Sequence, residues 1–394
     1  MNKFKVFGLA MALFWLTMVA CTPAQEGNTN EESNLTKGEA SVADTEVLPF
    51  FIGTYTNDTI KGIYYSILDL SSGQMKAPAL AAESKNPSFL TLSSDQKHLY
   101  AVNELSPEES QVTSFSVDKK EGKLTEINSI SAQGGAPCYV SISRDGSRGY
   151  VANYVGGNVI SFGINTDGHL EGPAQSIKHE GSSITERQGN PHAHSIIPHP
   201  TLPYIYAADL GTDQVFIYKA DGEGALTKNE PANYDLPGGA GPRHLDFHQS
   251  LNVAYIINEL NSTITVVNIN DNGGFDSLQT VSTLPEGFEG TSYPADIHIH
   301  PNGKYLYGSN RGHDSIVSYE VDQKTGQLSV IGFADQDIDW PRNFAITPAG
   351  DFLLVANQKG SSIVSYKIDV ATGKLNHTGN VLSVGQPVCI LYLE

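Results

Sequence analysis

The chain has 394 residues, 39% of them hydrophobic and 17% charged, with 38 glycines and 18 tyrosines. That mix excludes a disordered chain and suits a turn-rich all-β protein. The net charge of −19 excludes nucleic acid as a partner, because phosphate binding needs a basic surface.

The chain opens with Lys3 and Lys5, followed by an almost wholly apolar run from Val6 to Ala20. This reads as an export signal over residues 1–20, too short for a membrane span. The run ends Met18-Val19-Ala20-Cys21, which has the form of a bacterial lipobox. Cys21 is therefore expected to be the lipidated first residue of an exported protein, held to a membrane only by that anchor. The alternative is an ordinary cleaved signal. Residues 21–48 are polar and acidic, and read as the anchored cysteine and a flexible tether. The two remaining cysteines, Cys138 and Cys389, do not make a disulfide framework and read as small buried side chains.

From Pro49 to Glu394 one unit recurs. A proline opens each copy: Pro87, Pro137, Pro191, Pro242, Pro294, Pro341 and Pro387. After each of the first six come an alternating segment, a turn, and a second segment ending at Asn103, Asn153, Asp209, Asn258, Asn310 or Asn357. A third segment follows, such as "VISFGI" or "IVSYEV". Then come a glycine turn and an apolar residue (Leu124, Leu170, Leu226, Phe275, Leu328, Leu375). Four short strands in about 50 residues is the pattern of a propeller blade. The last copy stops after one strand, and the segment from Phe50 to Met75 lacks that strand but supplies the rest. The expectation is a seven-bladed β-propeller over 49–394, closed by one C-terminal and three N-terminal strands, which removes exposed sheet edges. A closed ring has no need to oligomerise, so a monomer is expected.

The repeat register also locates a candidate site. Two slots of each hairpin face the same end of the ring. At the start of the first strand they hold Ser88, Cys138, His194, Arg243, Ala295 and Arg342. Directly after the second strand they hold Glu104, Tyr154, Leu210, Glu259, Arg311 and Gln358. One step further in lie His244, Asp296 and Asn343. Cations, a carboxylate and an imidazole around one mouth would bind an anionic or oxygen-rich small molecule. The plainer alternative is that Arg and Glu pair across blades. His199, His248 and His300 share another slot with Ser93, Ser143 and Thr347, and read as turn residues at the far end. No metal is expected from the "HAH" and "HIH" stretches, since alternate strand residues span only one face. No nucleophile elbow, phosphate loop or dinucleotide fingerprint occurs in context.

The stretches "GGAGPRHLDFH" (238–248), "NELNSTITV" (258–266), "ADIHIHPNGKYLYGSNR" (295–311) and "PRNFAITPAGDFLLVANQK" (341–359) resemble the bacterial propeller-type 6-phosphogluconolactonases, whose relatives include fungal carboxy-cis,cis-muconate cyclase. The resemblance covers the whole repeat region. It implies a lactonase that needs no cofactor, with active-site residues at His194, Arg243, Glu259 and Arg311. Of the two histidines in "HAH", the register favours His194 over His192. The family's enzymes of central metabolism are cytoplasmic, whereas this chain carries an export signal. An unphosphorylated aldonolactone or uronolactone is therefore a fair substitute for the phosphorylated substrate.

The expected reaction is water attack on a sugar lactone. Glu259 or neutral His194 would take the proton, and Arg243 and Arg311 would hold the oxyanion. Substrate contacts are expected from His192, His244, Arg342 and Lys359, with Asp296 and Asn343 on sugar hydroxyls. Two other readings stay open: a lactonising cyclase acting on an unsaturated dicarboxylate, and a non-catalytic propeller that binds an anionic ligand or protein.

Overall fold

The computed structural model describes residues 46–220 and 225–394. The expected leader (1–20), Cys21 and nearly all of the expected tether lie outside them. The described residues form seven four-stranded antiparallel sheets. Numbered by inner strand, blades 1 to 7 begin with Phe89–Leu92, Pro137–Ile142, Ala193–Pro198, Pro242–Phe247, Tyr293–Ile299, Pro341–Ile346 and Pro387–Tyr392. Blade 7 joins this last strand to Val47–Thr54, Gly62–Asp69 and Ala79–Glu83. The closure pairs Phe50 with Tyr392, Phe51 with Leu391 and Ile52 with Ile390. The first strand begins at Val47, two residues before the expected boundary.

Period-two alternation here does not separate core from solvent. It separates one blade interface from the next. In the second strand of blade 1, Leu99 and Ala101 pack toward blade 7, while Tyr100 and Val102 pack toward blade 2. Both parities are apolar because both faces are buried. Among the described residues each of the seven gaps between neighbouring blades holds its own apolar cluster. Tyrosines of the second strands reach across these gaps. Tyr206, Tyr255 and Tyr307 donate to the carbonyls of Gly273, Gly326 and Gly373 in the following blade, each at 3.0 Å.

The asparagine closing each second strand has a physical role. In blades 1, 2, 5 and 6 its amide donates to the chain leaving the previous blade, as Asn153 does to Ala132 O (2.9 Å) and Asn310 to Thr283 O (2.7 Å), while Asn258 of blade 4 donates to Thr263 and Thr265 of its own blade. Blade 3 carries Asp209 instead, which has no amide to donate. His179, from the connection before it, meets Asp209 at 2.7 Å and Tyr218 at 3.0 Å. That connection shifts the register: Ala193, not Pro191, takes the position opposite Asp209 that Pro137 takes opposite Asn153.

Candidate active site

In blade 4 the strand pairing sets Pro242 opposite Asn258, so the residues flanking them, Arg243 and Glu259, meet at one edge. Gly241 fixes this corner. It has φ +66°, its carbonyl accepts from Glu259 N at 2.7 Å, and a Cβ there would lie 2.5 Å from Leu260. Arg243 Nε lies 3.1 Å from Glu259 Oε2. Arg311, at the end of the second strand of blade 5, reaches the same oxygen at 2.8 Å. The other oxygen, Oε1, meets Arg187 at 2.7 Å. Burial alone would raise the Glu259 carboxyl, but Arg311, Arg243 and Arg187 hold it down at about 2. Burial, reinforced by Arg311 and Arg342, lowers the Arg243 guanidinium to about 9, which leaves it charged at neutral pH.

A second cluster stands on the other side of the mouth. Tyr55 donates to Glu104 at 2.9 Å, and Arg342 lies 4.0 Å from that carboxylate and 5.4 Å over the Tyr55 ring. Glu104 and Glu259 occupy the same repeat slot, and each faces arginine. Arg243 and Arg342 reach toward Ser88 and Cys138 of blades 1 and 2 around a cavity of about 10 Å³, enough for one water.

His194 lies beside Cys138. Its Nδ1 lies 3.6 Å from Cys138 Sγ, and its ring meets Tyr154 and His244 edge-on at 5.3 and 5.5 Å. Its Nε2 has no hydrogen-bond partner among the described residues. Burial first, then the positive field of Arg243, His244 and Arg342, pushes the imidazole well below its ordinary value. His194 is thus neutral near pH 7. Burial likewise pushes the Cys138 thiol up, so it is no nucleophile, and both Cys138 and Cys389 are buried and free.

His244, Asp296 and Asn343 lie one step deeper and are occupied by one another. His244 Nδ1 meets Asp296 Oδ1 at 2.8 Å, and its Nε2 faces Arg243 Nη1 at 3.2 Å. Asn343 donates to Asp296 Oδ2 at 2.5 Å and accepts from Ile390 N at 2.8 Å. His298 Nε2 also meets Asp296 Oδ2, at 3.1 Å. All three expected substrate contacts are buried, as Arg243 is, and are bonded to one another. Of the three, His244 also touches Arg243, at 3.2 Å.

His192 stacks on Tyr154 at 4.5 Å, outside the arginine cluster. Lys359 lies at the rim with its Nζ 3.1 Å over the Trp340 ring, which Arg311 also approaches at 5.9 Å. Sequence reasoning missed Arg187 because it stands outside the repeat, in the connection between blades 2 and 3. The uneven repeat spacing there was the available signal. A concavity of about 690 Å³ lies at the other end of blades 2 and 3 beside Arg144, Asp145, Arg148 and Glu171. No histidine lines it. Among the described residues no group of side chains could hold a metal ion.

The family described as "Lactonase, 7-bladed beta-propeller" matches residues 49–392. The chain belongs to this lactonase family. It is 34% identical over 291 residues to a 6-phosphogluconolactonase of Bacillus subtilis, covering 74% of this chain and 82% of the relative. Among solved structures it is similar to a periplasmic gluconolactonase of Pseudomonas aeruginosa. That match has a TM-score of 0.85 and 32% identity, and covers 89% of this chain and 99% of the other. A candidate 6-phosphogluconolactonase of Bacteroides fragilis gives a TM-score of 0.84 and 36% identity, covering 90% and 99%. Membership in the lactonase family puts lactone hydrolysis at the head of the readings for the mouth.

Proposed function

We propose that this lactonase-family chain hydrolyses a sugar lactone at the mouth of the channel, with His194 as the base. The observation that carries the assignment is the contrast between the two candidate bases. Both oxygens of Glu259 are taken by guanidiniums at 2.7–3.1 Å, so neither is free to accept a proton from water. His194 is neutral, and its Nε2 has no hydrogen-bond partner among the described residues.

In this reading His194 takes a proton from water as the oxygen attacks the lactone carbonyl. Arg243 and Arg311, aligned by Glu259, stabilise the tetrahedral oxyanion. The ring C–O bond then breaks, and His194 returns the proton to the departing hydroxyl. Water and lactone give one hydroxy acid, with nothing oxidised or reduced. Arg342 adds to the positive field that favours the acid product.

The leader and Cys21 support a place of action outside the cytoplasm, as does the likeness to a periplasmic gluconolactonase. An aldonolactone or uronolactone is the substrate class that this favours.

The test is proton release by the full-length protein offered δ-gluconolactone, its 6-phospho derivative and a uronolactone, corrected for spontaneous hydrolysis. His194→Asn is expected to lower turnover by about 10²–10⁴-fold. Because its imidazole lies well below 6.5, wild-type turnover should stay level from pH 7 to below 6.5. A fall centred near 6.5, or full activity in His194→Asn, would remove the imidazole from its role. No acceleration of any lactone would sink the lactonase reading.

A further inference from the structure

Arg187 is carried by the longest connection in the ring. Fourteen residues separate Lys178 from Ala193, against three to ten between other blades. The backbone of this connection is fixed. Gln188 is fully buried, its amide donates to Leu210 O at 2.8 Å, and Ser183 donates to Asp213 at 2.5 Å. A short 3-10 turn, Glu186–Gln188, then projects Arg187 over the mouth. There it bonds Tyr154 Oη at 3.1 Å and lies 5.6 Å over the Tyr293 ring.

The three arginines on Glu259 are not equivalent. Arg243 and Arg311 are buried and share Oε2, while Arg187 alone holds Oε1. The Arg187 side chain is 43% exposed above a carboxylate only 5% exposed. A ligand approaching the mouth therefore meets Arg187 before Glu259. Glu259 is already matched by two buried cations, so the third is surplus. Four guanidiniums, counting Arg342, face two carboxylates here. When Arg187 changes partners, Glu259 keeps Arg243 and Arg311, so no buried charge is left unpaired, and the half-exposed guanidinium is met by water or by the ligand. The guanidinium is also the side chain best matched to a two-oxygen anion.

We propose that Arg187 is a specificity-determining cap. It leaves Glu259 Oε1 to bind a second acidic group on the ligand, a carboxylate or phosphate remote from the lactone carbonyl. The freed Oε1 then accepts a hydroxyl of the same ligand. The inference rests on the reading of the mouth as a site for sugar acids and their lactones. It narrows the substrate class favoured above: among lactones of sugar acids it sets those with a second acidic group ahead of simple aldonolactones.

The test is calorimetric binding of three product-like acids to the full-length protein: gluconate with one acidic group, glucarate with two carboxylates, and 6-phosphogluconate with a carboxylate and a phosphate. Wild type is expected to bind one or both doubly acidic ligands more tightly than gluconate. Arg187→Gln should weaken that binding on the order of 10-fold or more, with a much smaller change for gluconate, and Arg187→Lys should restore part of it. Loss for glucarate as well as 6-phosphogluconate identifies a general acid-group cap, and loss for the latter alone a phosphate cap. Equal losses for all three ligands, no loss, or no binding by wild type would overturn the proposal. Binding needs no turnover, so a selective loss in a protein that hydrolyses no lactone would keep the cap and remove only the lactonase reading.

Discussion

The two ends of each hairpin carry the same repeat but opposite kinds of chemistry. At the far end, His199, His248 and His300 do one job. Each turns Nδ1 to accept backbone N–H groups of its own turn, as His248 does from Ser250 and Leu251, both at 3.1 Å. His248 and His300 then donate from Nε2 to the next blade's turn, at Gly303 O (3.0 Å) and Gly350 O (2.7 Å). Ser93 and Ser143 fill the same slot and also accept from their turns. At the mouth, equivalent slots hold arginine, glutamate, histidine, cysteine and serine, and their contacts differ blade by blade. A slot that keeps its bonds while its residue changes is required by the fold. A slot whose chemistry diverges is released from that duty.

The comparison is most sharply tested at Glu259. Glu259→Gln leaves Arg243 and Arg311 buried without their counter-charge, and breaking a buried ion pair from one side costs about 3–5 kcal/mol. The amide oxygen still accepts one bond, which places the expected loss near 3 kcal/mol in urea unfolding. Lactone turnover should fall with it, because the oxyanion-holding guanidiniums lose their alignment. A variant as stable as wild type would show that the mouth is not held by charge pairing.

The opposite outcome is expected at the far end. His248→Ala removes two accepted bonds and one donated bond from a buried turn, a loss of about 2 kcal/mol. His248→Ser, which restores the residue type of blades 1 and 2, should recover part of it. Turnover per folded molecule should not change in either variant. A fall in turnover at unchanged stability would break the division between the ends.

This division explains what was legible in the sequence. The blades could be read because the second strands of blades 1 to 6 are apolar at both parities and reach an Asn or Asp at or next to their last residue, a constraint imposed by burial on both faces. Arg243, Glu259 and Arg311 could be brought together because hairpin pairing puts the flanks of Pro242 and Asn258 at one edge. The depth of His244, Asp296 and Asn343 could not be read. One residue along a strand moves a side chain from the mouth to beneath it, and only the three-dimensional partners reveal the mutual bonding. Arg187 escaped because the repeat gives no register to a connection outside it.

His298 lies between the two ends and offers the finest test. Burial opposes its charge, but Asp296 and Asp246 on either side raise the imidazole to about 9. The folded value is above that of the unfolded imidazole, about 6.5. Charged His298 therefore favours the fold fully below pH 6.5, and that contribution is lost as pH rises through about 9. His199 (held near 4), His248 and His194 act in the reverse sense: burial lowers them, so their contribution is present above 6.5 and lost as pH falls. The His298 side chain is 39% exposed, so water screens both pairs, and a loss of about 1 kcal/mol between pH 6.5 and 9 is expected. Urea midpoints measured at those two pH values should fall for wild type and stay level for His298→Gln. An equal decline in both proteins would mean that Asp296 is held by His244 and Asn343 alone. The cluster around Asp296 would then be independent of that half-exposed histidine.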